Sequence, residues 1–293
     1  MNIIQLKYFS AVCTFHSVSD AAAYLHISQP SLSNSIKELE KEFGVSLFRR
    51  HHRGMTLTPE GEVLYKMSED ILSRTEQAEN IMKDLGGERK TLRLGVPPMI
   101  GSLILPGIYR DFVSRDSDIR LDIMEGGRQD LVQKLNEDYV DMVFLPHDAP
   151  LDRSFAALHA ARMQIVCCAA KSNPVSGLRS VRPSDFEGRS IVLFENSFFQ
   201  TEKIKKWFAE CNVSPDIILQ TKQLSTMLSM ISNDVAAGFM FRPLIESSSN
   251  LVAIPMEAPM FVDVSLVWKR DAYLFSCMKK FKEYVNHNNL TCY

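Results

Sequence analysis

Between residues 19 and 61 the chain sets out three parts in one unbroken order. These are a run of small apolar side chains at Ala21, Ala22 and Ala23, a Ser-Gln-Pro step at 28–30 into an amphipathic stretch, and the basic cluster Arg49-Arg50-His51-His52-Arg53. Few folds accommodate that order. Small side chains let a neighbouring helix approach closely, a capped turn redirects the chain into another helix, and a cationic hairpin follows at once. This is the layout of a helix-turn-helix with a wing, which offers one helix and one hairpin to duplex DNA.

Ahead of it, Leu6, Phe9, Val12 and Cys13 recur at helical spacing and give a first helix with one apolar face. Ser19 is expected to cap the second helix, with Leu25 and Ile27 anchoring the turn. Ser28 then caps the third helix, and Pro30 falls in its first turn, where a missing N–H leaves no bond unmade. Leu32, Ile36, Leu39 and Phe43 form the expected buried stripe, opposite Pro30, Asn34, Lys37 and Lys41, with Ser33 alongside and Gln29 at the exposed start. Gln and Asn pair with adenine edges and Lys sits on phosphate, so Ser28, Gln29, Pro30, Ser31, Ser33, Asn34 and Lys37 are the candidate reading residues. Glu38, Glu40 and Glu42, further along, would repel phosphate. An ordinary surface helix carries a similar polar face, so the helix alone decides nothing. Its sequel does: Leu47 and Phe48 anchor a short hairpin, Gly54 supplies the turn, and Arg49, Arg50 and Arg53 ride on it, placed for a minor groove or for phosphates.

A net charge of -2 over 293 residues means that any nucleic-acid affinity comes from this local cluster and not from the field of the whole chain. The start lacks a basic and apolar signal segment, and no stretch has the apolar length needed to span a bilayer, so no membrane partner and a cytoplasmic location are expected. Cys13, Cys167, Cys168, Cys211, Cys277 and Cys292 form no C-x-x-C pair, so no metal or cofactor is expected and buried inert thiols are. A redox sensor would need an exposed low-pKa thiol with a resolving partner. Enzyme chemistry is not expected either, because the chain has no G-x-S-x-G elbow, H-E-x-x-H pair, Walker loop or G-x-G-x-x-G after a strand. A secreted solute-binding protein would need the absent signal segment, and a nonspecific architectural DNA protein has no use for some two hundred further residues of α/β pattern.

Together, Ala21-Ala22-Ala23, Ser28-Gln29-Pro30-Ser31-Leu32-Ser33, Ile36-Lys37-Glu38-Leu39-Glu40, Gly44-Val45-Ser46-Leu47-Phe48 and Leu57-Thr58-Pro59-Glu60-Gly61 resemble the N-terminal signature of LysR-type transcriptional regulators, without a gap from residue 2 to about residue 61. The resemblance implies an α+β multidomain chain. It places a winged helix-turn-helix at 1–58, a linker helix and hinge used for dimerisation at 59–90, and an α/β effector domain of periplasmic-binding-protein type at 91–293. Subdomain I would take about 91–162 and 267–293, and subdomain II about 163–266. It further implies sequence-specific DNA binding controlled by a small molecule held between the subdomains, and a tetramer that bends its site.

From the Thr58 cap and Pro59 the pattern stays helical to Leu85 and stops at Gly86-Gly87. Leu64, Ile71, Ala78 and Leu85 recur every seven residues, with Met67 and Ile81 on the complementary seam and Arg74 interrupting it. Such a stripe pairs two copies as a short coiled coil or packs on its own domain. Pairing would present two recognition helices to a pseudo-palindromic operator in double-stranded DNA, with half-sites about one turn apart.

Beyond the hinge, strand-like runs at Thr91–Val96, Arg120–Met124, Val140–Leu145, Ile165–Ala170, Ser190–Phe194, Ile217–Gln220, Ala236–Phe241 and Val262–Trp268 alternate with helical patterns at Leu103–Val113, Leu131–Asn136, Glu202–Cys211, Leu224–Ile231 and Phe275–Val285. The alternation predicts mainly parallel sheets. By resemblance the chain crosses between subdomains near 161–165 and 264–268, and the effector cleft lies at the carboxyl ends of their strands. Pro97-Pro98-Met99-Ile100-Gly101-Ser102 and Asn196-Ser197-Phe198-Phe199-Gln200 are each a turn opening a helix there, with N–H groups and a dipole that favour an anion. Helix capping on its own accounts for Ser102 and Ser197, but two such turns facing one cleft favour the binding reading. The pattern departs from the family at Met99, where a hydroxyl is frequent, and at Arg128 after Gly127, where Ser or Thr is frequent. Arg128 either forks onto a carboxylate or phosphate, making an anionic effector the leading expectation, or is a solvated first-turn residue.

Overall fold

Asn2, Ser17, Ser28 and Thr58 each lie in extended backbone directly before a helix, and each side chain accepts a hydrogen bond from the backbone N–H three residues on. These caps start α1 (Ile3–Phe15), α2 (Val18–Tyr24), α3 (Gln29–Phe43) and, after the hairpin of β1 (Phe48–His51) and β2 (Gly54–Leu57), α4 (Pro59–Leu85). The structure is a computed structural model describing residues 1–51, 54–115, 118–246, 250–288 and 290. It divides into two units, Met1–Gly86 and Gly87–Tyr293.

In the N-terminal unit two expectations are corrected. Ser17, not Ser19, caps α2: the chain leaves α1 through a left-handed residue, His16 (φ 52°), and is already extended at Ser17, so Ser19 falls inside the first turn. Phe43 is 43% exposed, because α3 ends at left-handed Gly44 and its last turn has run past the apolar faces of α1 and α2. The core joins Phe9, Val12, Ala21, Leu32, Ile36 and Leu39 to Leu47 and Phe48 of the wing, with the Phe9 and Phe48 rings 5.3 Å apart. Burying several such side chains is the main stabilising term, at about 1.5–3 kcal/mol each. Register in the wing pairs Phe48 with Leu57, Arg49 with Thr56, Arg50 with Met55 and His51 with Gly54. The Met55 N–H donates to the His16 carbonyl at 3.0 Å, which ties the hairpin to the end of α1.

In the C-terminal unit the chain order is β3 (Thr91–Val96), α5 (Pro98–Ile108), β4 (Arg120–Glu125), α6 (Arg128–Asn136), β5 (Met142–His147), β6 (Phe155–Ala170), β7 (Ser190–Phe194), α7 (Phe199–Glu210), β8 (Asp216–Thr221), α8 (Leu224–Ser232), β9 (Ala237–Phe241), α9 (Pro243–Glu246), β10 (Leu251–Ile254), β11 (Met260–Lys269) and α10 (Ser276–His287). The described strands form one sheet in the order β4-β3-β5-β11-β6-β9-β7-β8, with β10 paired to β6. Each half keeps the expected parallel pairs: β3 with β4 and β5, and β7 with β8 and β9. The halves are joined by two long antiparallel strands, β6 and β11. The start of β6 pairs beside β11 in the first half, and from Ile165 it pairs with β9 in the second. β11 already runs beside β5 from Asp263, so the return crossing lies ahead of the 264–268 stretch. Crossing strands let two α/β lobes share one sheet, and in such sheets the place for a ligand crevice is the carboxyl ends of the strands, here β3, β4, β5 and β7.

Candidate functional site

On the N-terminal unit, Gln29, Pro30, Ser31, Asn34, Lys37 and Arg49 are all exposed, and Ser33 is half-buried. Ser28 is committed as a cap, accepting from the Ser31 N–H at 3.3 Å. Asn34 Nδ2 reaches Glu38 at 3.4 Å, a weak contact that leaves its amide largely available. A groove lined by Ser33, Lys37, Glu40, Ser46 and Phe48 separates α3 from the hairpin. The acidic end of α3 has structural work: Glu40 accepts from the Leu47 N–H at 2.8 Å and so fixes where the wing begins. Arg53 and His52 lie outside the described residues, and for Arg50 the description extends to the backbone pairing alone.

In the C-terminal unit, α5, α6 and α7 begin at Pro97, Gly127 and Phe198, and none of these has a side-chain cap. The N–H groups at the start of these helices accordingly lack a side-chain cap, while the Gly101 N–H donates to the Pro97 carbonyl at 2.8 Å. Met99 and Ile100 are 2% and 1% exposed, so both residues belong to the core. Gly101 is buried; a Cβ there would come within 3.5 Å of Glu125 Oε1 at the end of β4. Pro98 is half-buried, and the exposed Ser102 hydroxyl donates to the Pro98 carbonyl at 3.0 Å. Phe198 is buried against Phe194, with ring centroids 4.9 Å apart, and Asn196 accepts from Lys205 at 2.7 Å and Gln220 at 3.2 Å. Neither Ser102 nor Ser197 caps its helix.

Besides the packing of α5 on α9, the halves meet where α6 and α7 begin. A Cβ on Gly127 would lie 2.7 Å from both the carbonyl and hydroxyl oxygens of Ser197. Beside it Arg128 stands 5.2 Å over the Phe199 ring, Gln129 donates to Glu202 at 3.1 Å, and Lys203 pairs with Asp148 at 2.7 Å. Lys203 also stands 5.7 Å from the centroid of the Phe199 ring. Lys203, first by its hydrogen bond and then by its charge, holds the Asp148 carboxyl below the usual carboxylate range, with Arg128 adding to it. Sequence reading missed Gln129, Asp148, Glu202 and Lys203. They are ordinary polar residues, and only the fold brings them together.

Among the described residues no group of three or more His, Cys, Asp or Glu is arranged to hold a metal ion, and no helix is long and apolar enough to cross a membrane. Burial pushes the thiols of Cys13 and Cys168 up to about 12, helped at Cys13 by Glu69, and raises Cys167 as well. Such thiols are poor nucleophiles at neutral pH, whereas Cys211, at the end of α7, is exposed and departs from the expectation of burial. Cys292 lies outside the described residues.

Comparison with known families decides what this pair of units is. Residues 3–62 match the bacterial regulatory helix-turn-helix protein family of lysR type, and residues 85–289 match the LysR substrate binding domain. The chain belongs to the LysR family of transcriptional regulators. It is a DNA-binding transcriptional regulator with an effector-binding domain, and not an enzyme. This LysR regulator is 25% identical over 300 residues to the HTH-type transcriptional regulator CzcR of Bacillus subtilis (strain 168), covering 99% of each chain. It is 28% identical over 243 residues to the HTH-type transcriptional regulator BenM of Acinetobacter baylyi, covering 79% of this chain and 77% of BenM. Among solved structures, full-length CbnR in complex with its target DNA superimposes with a TM-score of 0.71 at 18% identity, covering 98% of this chain and 99% of that one.

Proposed function

We propose that this LysR regulator works in the cytoplasm as a dimer paired through α4, assembles into a tetramer on a pseudo-palindromic operator, and answers to a small anionic effector. The divisions are 1–58 for reading DNA, 59–90 for linking and pairing, and 91–293 for sensing, with subdomain I at about 91–162 and 267–293 and subdomain II at about 163–266. Gln29, Pro30, Ser31, Ser33, Asn34 and Lys37 face the bases and adjacent phosphates, Ser28 sets the start of the reading helix, and Arg49, Arg50 and Arg53 hold the wing on the backbone. The exposure of the first turns of α3 next to a cationic hairpin supports that reading. Gln29→Ala or Ser33→Ala is expected to relax sequence preference. Lys37→Ala, Arg50→Ala or Arg53→Ala is expected to weaken all duplexes alike and to reduce the salt slope by about one. Footprinting and mobility shifts over a salt series check this; variants of both kinds behaving as wild type would remove α3 and the wing from the interface.

One observation carries the anionic reading: three helices start around one cleft with no side-chain cap, beside an Arg128 that has no carboxylate partner among the described residues. Met99 and Ile100 would offer backbone N–H groups from one side, in a turn shaped by Pro98, Gly101 and Ser102; Gly127 and Arg128 would add theirs from the next, and Asn196, Ser197 and Phe199 from the opposite lobe, beside Phe198. Ligand control requires different affinities in two conformations, and the effector shifts a balance already present. In a thermal-shift screen of small acidic metabolites on the full chain, a bound acid is expected to raise the melting temperature, and Arg128→Gln to abolish the rise. Silence across all acids would turn the reading toward a neutral effector.

A further inference from the structure

Apart from the packing of α5 against α9, the two lobes of the C-terminal unit are held by side-chain contacts gathered at the start of α6 and α7. Four kinds of contact meet there. Gly127 packs against Ser197 so closely that no side chain fits at 127. Gln129 donates to Glu202 at 3.1 Å, Arg128 covers the Phe199 ring, and Lys203 pairs with Asp148 at 2.7 Å. The Lys203 side chain is 19% exposed and that of Asp148 46%, so the pair is shielded from solvent on the lysine side only. Asp148 follows directly on the end of β5, in the lobe opposite α7, so the pair spans the two lobes.

We infer that this seam is a clasp that holds the ligand-free cleft shut, with the Asp148–Lys203 pair as its central bond. An anionic effector then enters by taking the place of Asp148 beside Lys203 and Arg128, and not by drawing together two separated lobes. This step of entry rests on the anionic reading above, whereas the closed resting state stands without it. Two cations flank the Phe199 ring and one carboxylate serves them, through a hydrogen bond to Lys203 and a longer-range attraction to Arg128. A second anion has a charge to meet once Asp148 moves aside.

Zero-length carbodiimide coupling of the full-length, ligand-free protein tests the closed state, because the reagent joins an amine to a carboxylate only where the two already touch. The expected product is an Asp148–Lys203 amide, found by mass spectrometry at a yield comparable with that of the Lys269–Asp138 pair, which lies within one lobe at 2.6 Å. Lys203→Met and Asp148→Asn are each expected to abolish that product. Each should also raise deuterium uptake about tenfold on both sides of the seam, at residues 128–131 and 199–202. The Lys269–Asp138 product appearing without the Asp148–Lys203 product overturns the inference. Uptake that rises on one side of the seam alone also overturns it, since that pattern belongs to a local ion pair. Both readouts are taken without ligand, so they stand or fall apart from the metabolite screen that decides the anionic reading.

Discussion

Asp141→Ala is expected to destabilise the C-terminal unit by about 3–5 kcal/mol, the cost typical of removing one partner from a buried charge cluster. The Asp141 side chain is 3% exposed and sits just before β5. It accepts from Arg89 Nη2 at 2.7 Å, from Arg93 Nη2 at 2.7 Å and from the Arg93 backbone N–H at 2.9 Å. Arg89 belongs to the stretch that leads from the two glycines into β3, and its guanidinium lies 3.3 Å from the centroid of the Phe275 ring at the start of α10. One carboxylate therefore gathers the first strand, the segment ahead of it and the strand after α6. Without it, two guanidinium groups face each other, one of them with a side chain only 9% exposed. Calorimetry of the full chain is expected to show the C-terminal transition falling by on the order of 10 °C, with the N-terminal transition unmoved. Asp141→Asn keeps an acceptor and loses the charge, so it should fall between. Asp141→Leu combined with Arg89→Met should recover part of the loss, because it removes the most buried guanidinium together with its carboxylate and leaves the charge of Arg93, whose side chain is 26% exposed. A C-terminal transition unchanged in Asp141→Ala would show that the arginines find water or another acceptor at little cost.

Sequence reading succeeded where one local period decides the structure. β3 and β7 were legible to the residue, because each is a short run between turn residues with its apolar positions buried. The exposed face of α3 was legible for the same reason: once Leu32, Ile36 and Leu39 are buried, the helical period leaves Asn34 and Lys37 outside. β6 was legible only from Ile165 onward. Its first part, Phe155 to Gln164, mixes buried and exposed positions without strict alternation because the strand passes from one lobe to the other and changes neighbours on the way. β10 went unread, being four residues whose strand character comes from pairing with the end of β6. The cleft was legible as two turns but not as a surface. Met99 and Ile100 look like loop residues and are the buried start of α5, while Gln129–Glu202 and Asp148–Lys203 join positions 73 and 55 residues apart. No local pattern marks such pairs, since their meeting depends on the placement of two lobes.

Gly61 shows the same division inside the family signature, and its substitution carries the second large expected effect. The sequence places a glycine in the first turn of a helix, where alanine is the better helix former by about 1 kcal/mol. The structure supplies the reason: a Cβ at this position would lie 2.2 Å from the Leu47 carbonyl oxygen and 2.9 Å from Leu57 Cδ2. The first of these is backbone, and it cannot swing aside. The Leu47 carbonyl is also held by the Thr58 N–H at 3.0 Å, and the Thr58 hydroxyl donates to Ser46 at 2.7 Å while capping α4 through the Gly61 N–H. Gly61 thus allows α4 to lie against the base of the wing, and a side chain there drives the two apart. Gly61→Val is expected to cost upwards of about 3 kcal/mol, more than the helix propensity it gains. Calorimetry should show the reverse of the Asp141 variant, with the N-terminal transition lowered and the C-terminal one unchanged. DNA affinity should fall together with that transition, at operator and random duplex alike, because α3 and the wing lose their common base. Gly61→Ala meets the same carbonyl with its one carbon and should lose most of the same stability. If Gly61→Ala instead melts like wild type, α4 has room to shift, and the close approach is a preference of packing and not a requirement of the fold.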